Sequence, residues 1–419
     1  MRRFATLLML PILLVCGRTP AASTYHVDPN SGSSDGDGSA SRPWKTLEEV
    51  AAKGQLKKLQ GGDTVLLHTG YHGAVTFSGD NASTVTVAAA EGQRPTLSRL
   101  TIPSGKNWCV RGLVISPSFG KEPYKGGIVS FGDGGESSKI IVEDCYIFSV
   151  EDASGWDAKQ WMNAYNGVTM GRHGRELTLR NNFVRNTRFG VSLEAFDSNC
   201  VGNVVSDFSG DGMRATRDGE VVEYNIVKNV YVSAADGDNN HDDGIQCFLF
   251  NKGTGTMKNL RFVGNIILAH EDPKQKWPNA LQGLGFFDGP LVDFVVTDNV
   301  VNVDSYHGIS LYDAQNALVE RNVVWAPQSQ KVRPWITFGT KQKLAKNNVA
   351  RGNFSSSYKL TQPGTVDEKN EPSTAKIYDE ALRRAFKTIC DKFGEKHVAA
   401  DRPRLTLPPP GPAAGESAK

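Results

Sequence analysis

The sequence predicts an all-β chain folded as a single-domain right-handed parallel β-helix, a solenoid with a short N-terminal cap helix and a C-terminal helix and tail. Three observations predict it: a glycine-led strand that repeats, an asparagine that repeats in step with it, and helical periodicity that is scarce before residue 375.

The strands come first. NGVTMG (166–171), FGVSLE (189–194), DGMRAT (211–216), DGIQCF (243–248), QGLGFF (282–287) and HGISLY (307–312) align on their first glycine. The next residue is always apolar (Val168, Val191, Met213, Ile245, Leu284, Ile309), and so is the one two further on (Met170, Leu193, Ala215, Cys247, Phe286, Leu311). Period two with one buried face means β-strand, and its recurrence every 22 to 39 residues means stacked coils. The second column is Asn182, Asn203, Asn225, Asn265, Asn299 and Asn322, each followed by an apolar pair. An asparagine at the same bend of successive coils can hydrogen-bond its neighbours' backbone and tolerates left-handed geometry, so a ladder is expected there.

The ends follow from composition. Residues 1–23 carry two arginines, an apolar run from Phe4 to Val15 and small residues up to Ala22 and Ser23, the pattern of a secretory signal. The protein is expected to be secreted or periplasmic. Leu13 to Cys16 also offers a weak match to a lipoprotein anchor, with a bulky Val15 where a small residue is wanted. No later run is long and apolar enough for a transmembrane helix. Residues 24–60 read as a cap and 61–360 as the β-helix, with a helical extension over 361–400 and a disordered tail over 401–419. The opening TYHVDPNSGSSDGDGSASRPWKTLEEVAAK followed by GGDTVLLHTGYHG resembles the start of secreted β-helix proteins, where an amphipathic helix shields the first coil from edge pairing.

Lys plus Arg (47) nearly balance Asp plus Glu (45), so no global field favours nucleic acid, and the chain is expected to act as a monomer on a partner recognised locally. Cys109, Cys145, Cys200, Cys247 and Cys390 lack metal-site spacing, and four of them sit at strand-like apolar positions, so they read as small buried hydrophobes.

Function is expected where the coils swell. Insertions at VEDASGWDAKQWMNAYN (150–166), VYVSAADGDNNHD (230–242) and LAHEDPKQKWPNA (268–280) all precede the glycine-led strand, so they wall one edge of the cylinder. They carry Trp156, Trp161 and Trp277, indoles suited to stacking on sugar C–H faces, although packing over the coil is the simpler role for any one of them.

The residue before each glycine forms a further column: Asn166, Phe189, Asp211, Asp243, Gln282 and His307. Asp211 and Asp243 stand on consecutive coils, so their carboxylates are expected about 5 Å apart. Like charges that close need a cation or a raised pKa. Arg214, facing outward, supplies part of the compensation. Calcium would supply the rest, held by Asp211, Asp242, Asp243, Gln246 and Asp238. The DGM at 211–213 and DDGIQ at 242–246 resemble the calcium cluster of the β-helix pectate lyases, which pair an aspartate before glycine with Asp-Asp-Gly-x-Asp on the next coil. Gln246 replaces the last aspartate of that pattern. The family's catalytic lysine would fall at Gly285, so the catalytic part of the resemblance is absent.

The resemblance implies a Ca²⁺-dependent polysaccharide lyase that cleaves an acidic, uronic-acid-containing glycan by β-elimination. Its proton-transfer candidates are His307, Arg214, His270 and Lys274, with His241 and Lys276 nearby, and its sugar contacts are Trp277, Trp161, Gln282 and Tyr312. Paired aspartates also suit a polygalacturonase-like hydrolase. A C5-epimerase shares the lyase's proton abstraction, and a non-catalytic glycan-binding protein needs neither.

Overall fold

The computed structural model describes residues 21–121, 126–231, 241–248, 256–271, 275–277, 280–327 and 331–395. Residues 1–20 of the expected 1–23 signal segment, the tail over 401–419, Asp238 and Lys274 lie outside them. The strands are wound into three long sheets of 14, 11 and 12 members, paired in parallel coil upon coil. Thr24–Val27 already pairs with Thr64–Leu67, and Val366–Glu368 with Val349–Arg351. The stack thus begins inside the expected cap and runs past residue 360.

The glycine-led strands form the 11-stranded sheet. Val191, Met213, Ile245, Leu284, Ile309 and Ile336 lie in register on successive coils and are buried, as are Leu193, Ala215, Cys247, Phe286, Leu311 and Phe338 two places on. The glycines before them answer to crowding rather than to backbone angle. A Cβ on Gly212 would collide with Val227 and the Gly244 carbonyl, and one on Gly283 with Val301 and the Gly308 carbonyl. Each glycine therefore faces inward, and strand alternation turns the residue before it outward.

The asparagine ladder forms and runs further than the sequence pattern shows. Asn203 Oδ1 accepts from the Asn182 backbone N–H at 2.9 Å and from its Nδ2 at 3.0 Å, and the pattern repeats up to Asn370. It starts at Cys145, whose backbone N–H donates to Asn182. The left-handed residue is the one before each rung instead of the asparagine itself: Asp144, Asn181, Gly202, Tyr224, Gly264, Asp298, Arg321, Gly352 and Lys369 all have positive φ. The apolar pairs after the rungs divide their work. Val184, Val205, Val227, Ile267, Val301 and Val324 enter the main core, whereas Phe183, Val204, Ile226, Ile266, Val300 and Val323 face out under a helix.

That helix, Ala375–Phe393, is capped by Thr374, whose Oγ1 accepts the Ile377 N–H. It lays Tyr378, Ala381, Leu382 and Ile389 on the outward apolar row. At the other end Leu47–Ala52 buries Leu47 and Val50 over the first coils. Cys109, Cys145, Cys200 and Cys247 are free and buried, and burial pushes the Cys109 and Cys145 thiols up to about 12.

One core position breaks the apolar rule. Leu177, Ser198, Glu220, Leu260, Phe294 and Ala317 precede paired strands of the 14-stranded sheet, and Glu220 is fully buried among them. Burial pushes its carboxyl well above the usual range, against the pull of the nearby Arg217 and Thr216 amides. The folded state thus holds a proton that the unfolded chain gives up, so stability falls as pH rises from the ordinary glutamate range toward the folded-state pKa. Glu220→Leu is expected to stabilise the fold by about 1–2 kcal/mol above the folded-state pKa and to flatten the decline of the melting midpoint as pH rises from the ordinary glutamate range. An unchanged pH slope in thermal melts would contradict this.

Candidate functional site

The outward column before the glycines runs Phe189, Asp211, Asp243, Gln282, His307. The next coil extends it with Trp335, in register with His307. No glycine precedes the inward residue there: Trp335 is followed at once by Ile336 across a one-residue register shift. This is why the glycine pattern misses it.

Asp211 and Asp243 are brought together. Asp211 Oδ1 accepts the Asp243 backbone N–H at 2.9 Å, and Oδ2 accepts Arg214 Nε at 2.6 Å. Arg214 faces outward between Ser192 and Gln246, with its guanidinium carbon 3.5 Å from the centre of the Phe189 ring. Asp243 is fully buried. Its Oδ2 shares a hydrogen bond with His241 Nδ1 at 3.0 Å, and its Oδ1 has no hydrogen-bond partner among the described residues. Burial pushes the Asp243 carboxyl up to about 7, and contact with Asp243 in turn raises the His241 pKa. The pair holds a proton across the neutral range, with the His241 side chain 44% exposed.

Gly285 explains the absent lysine. A Cβ at that position would lie against Asp243 Oδ1 and the Phe287 ring, so the site has exchanged a side chain on this coil for room for the Asp243 carboxyl. Phe287 follows on the outer face, with His241 at 5.3 Å on one side and His307 at 4.8 Å on the other, both edge-on. His307 Nδ1 lies 2.9 Å from Ser310 Oγ. Desolvation, then the charge on His241, lowers its pKa, leaving a neutral imidazole at pH 7. Tyr312 packs edge-on to Phe287 at 5.3 Å. Gln282, level with Asp243, keeps its Oε1 buried and without a hydrogen-bond partner among the described residues.

Other expected site residues sit elsewhere. Trp161 is buried, stacked on Tyr231 at 4.4 Å, so it has packed over the coil and offers no free face to a sugar. His270 is tied to Asp304 at 3.2 Å, while Asp304 also accepts the Leu281 N–H, and it takes no part in the contacts around Asp243. Asp242 alternates to the opposite side of its strand from Asp243, level with buried Leu281. Trp277 is half-buried under Lys276, whose Nζ lies 4.1 Å from the ring centre.

Calcium takes six to eight oxygens, and of the donors expected for it Asp238 lies outside the described residues. Both Asp211 oxygens are committed, one Asp243 oxygen is held by His241, and Arg214 brings a cation to the same spot. Among the described residues no three His, Cys, Asp or Glu side chains are grouped to hold a metal ion. Addition of calcium or of a chelator is expected to leave the melting midpoint unchanged; a calcium-dependent rise of several degrees would contradict this reading of the cluster.

Residues 166–350 match the family model for the right-handed β-helix region. Together with the parallel coil-upon-coil sheets, this match gives the chain the right-handed parallel β-helix fold. Its fold is similar to that of XylC, solved in complex with xylose, at 9% identity and a TM-score of 0.51 over 83% of this chain and 86% of that one. Two further structures align more loosely. The Azotobacter vinelandii mannuronan C-5 epimerase AlgE6 A-module is 12% identical over 78% of this chain and 94% of that one, with a TM-score of 0.49. Pectate lyase Pel9A is 14% identical over 84% and 82%, with a TM-score of 0.45. No curated protein sequence matches the chain.

Among the described residues no helix is long and apolar enough to cross a membrane.

Proposed function

We propose that the protein is a secreted polysaccharide lyase that cleaves a uronic-acid-containing glycan by β-elimination along the outer face of the 11-stranded sheet. The observation that carries this reading is the pair of histidines on either side of Phe287, whose surroundings push their pKa values in opposite directions. Elimination needs a base for the proton at C5 and an acid for the leaving oxygen, and oppositely tuned groups are how one site supplies both at one pH.

His307 is the base. With its Nδ1–H donating to Ser310 Oγ, Nε2 is free to take the C5 proton, and partial burial keeps the ring neutral. His241 is the acid. Asp243 fixes Nδ1, so the proton is delivered from the exposed Nε2, and the carboxyl steadies the ring before and after transfer. Asp211 and Arg214 act one coil back, where Asp211 holds the Asp243 backbone and Arg214 neutralises Asp211. No step requires a metal ion. Hydrolysis is the competing chemistry because Asp243 is a buried acid with a raised pKa, but Asp211 has no free oxygen with which to act as its partner.

Incubation with pectate, alginate and glucuronan is expected to produce absorbance near 232 nm from the unsaturated product. New reducing ends without that band would mean hydrolysis. The pH–rate profile is expected to be bell-shaped. Activity rises as His307 loses its proton below the ordinary histidine value and falls as His241 loses its proton above it. His307→Ala should lower kcat by about 10²–10⁴-fold. Asp243→Asn should shift the alkaline limb toward acid pH while leaving the acid limb in place, and a profile unmoved by it would remove His241 as the acid.

A further inference from the structure

Beyond His307 the outward column ends in a group that the proton-transfer chemistry does not use. Tyr306 is 52% exposed and stacks on Trp335 at 5.1 Å between ring centres. Trp335 meets His307 edge-on at 5.2 Å, and Lys359 Nζ lies 3.5 Å from the centre of the indole. Lys359 belongs to the next coil, where its carbonyl accepts Thr337 Oγ1 at 2.9 Å, which fixes its strand beside the indole.

Exposed lysines gain little by lying on a ring. This one forms no ion pair among the described residues, and its charge helps lower the pKa of His307. Nearby Lys341 is different, because it already pairs with Asp288 at 3.1 Å.

We infer that Tyr306, Trp335 and Lys359 form a subsite for an acidic glycan next to His307, with the C–H face of one sugar ring on Tyr306 and the carboxylate of a neighbouring sugar on Lys359. Three features define the ligand chemistry. A flat exposed aromatic face suits a pyranose ring. A cation held at a fixed height beside it, without a carboxylate partner among the described residues, suits an acidic sugar rather than a neutral one. Position adjoining the base places the bound sugar beside the one that is cleaved. The Trp335 indole acts as a positioning group, buttressing Tyr306 on one side and Lys359 on the other. This inference rests on the lyase reading for its choice of an acidic glycan, but its residues are separate from His241, Asp243 and His307.

The test is affinity electrophoresis of the full chain in gels containing pectate, alginate or glucuronan, with dextran as the neutral control, alongside kcat and KM on whichever polymer is cleaved. Lys359→Met and Tyr306→Ala are surface changes expected to leave the thermal melt unchanged. Lys359→Met should weaken binding to the acidic polymer about tenfold, remove most of its salt dependence and raise KM more than it lowers kcat. Tyr306→Ala should weaken binding to a similar degree while keeping the salt dependence. If the wild type binds and cleaves an acidic polymer and both variants match it in retardation and KM, the subsite is refuted while the lyase reading stands. If the wild type neither retards on nor cleaves any acidic polymer, both readings fall.

Discussion

The architecture turns on a place where consecutive coils come too close for a side chain. At Gly167, Gly190, Gly212, Gly244, Gly283 and Gly308 a methyl group would strike a valine or isoleucine of the neighbouring sheet and the backbone of the next coil. Close packing of that kind leaves no room to relax. Because glycine fills the inward position, the preceding residue must point out, and a row of polar and aromatic side chains is assembled on one face at a spacing of about 4.8 Å. The groove chemistry is thus a by-product of a packing constraint.

The asparagine ladder fixes the same coils from the opposite corner. Its rungs from Asn182 to Asn353 are fully buried and bonded on both sides, and each follows a residue with positive φ. A non-glycine residue in that region costs on the order of 1 kcal/mol, so the strain of Asp144, Asn181, Tyr224, Asp298 and Arg321 is held by the amide network rather than by local preference. Long loops can then enter between the ladder and the glycine without disturbing register.

Much of this was legible in the sequence because both columns obey simple periods. The inward rows, the ladder, the final helix and the meeting of Asp211 with Asp243 follow from counting. Orientation within a coil was harder. His241 lies two residues before Asp243 in what reads as loop, and only the fold shows its ring turned back onto the carboxyl. Phe287 was within reach of period-two counting from Leu284 and Phe286. Trp335 was hidden because its coil lacks the glycine, and Lys359 because contact between successive coils depends on loop lengths that composition does not reveal. Calcium was expected from charge repulsion; beside the same carboxylates stand Arg214 and His241, and burial raises the Asp243 pKa.

The central claim is that one groove holds two histidines tuned apart by burial on one side and by a carboxyl on the other. It is tested most directly by following the ring resonances of His241 and His307 by NMR across pH 4 to 9, assigned with single-site variants. The account predicts that His307 titrates below the ordinary histidine pKa and His241 above it, with the two steps separated. Coincident titrations, or the reverse order, would contradict it.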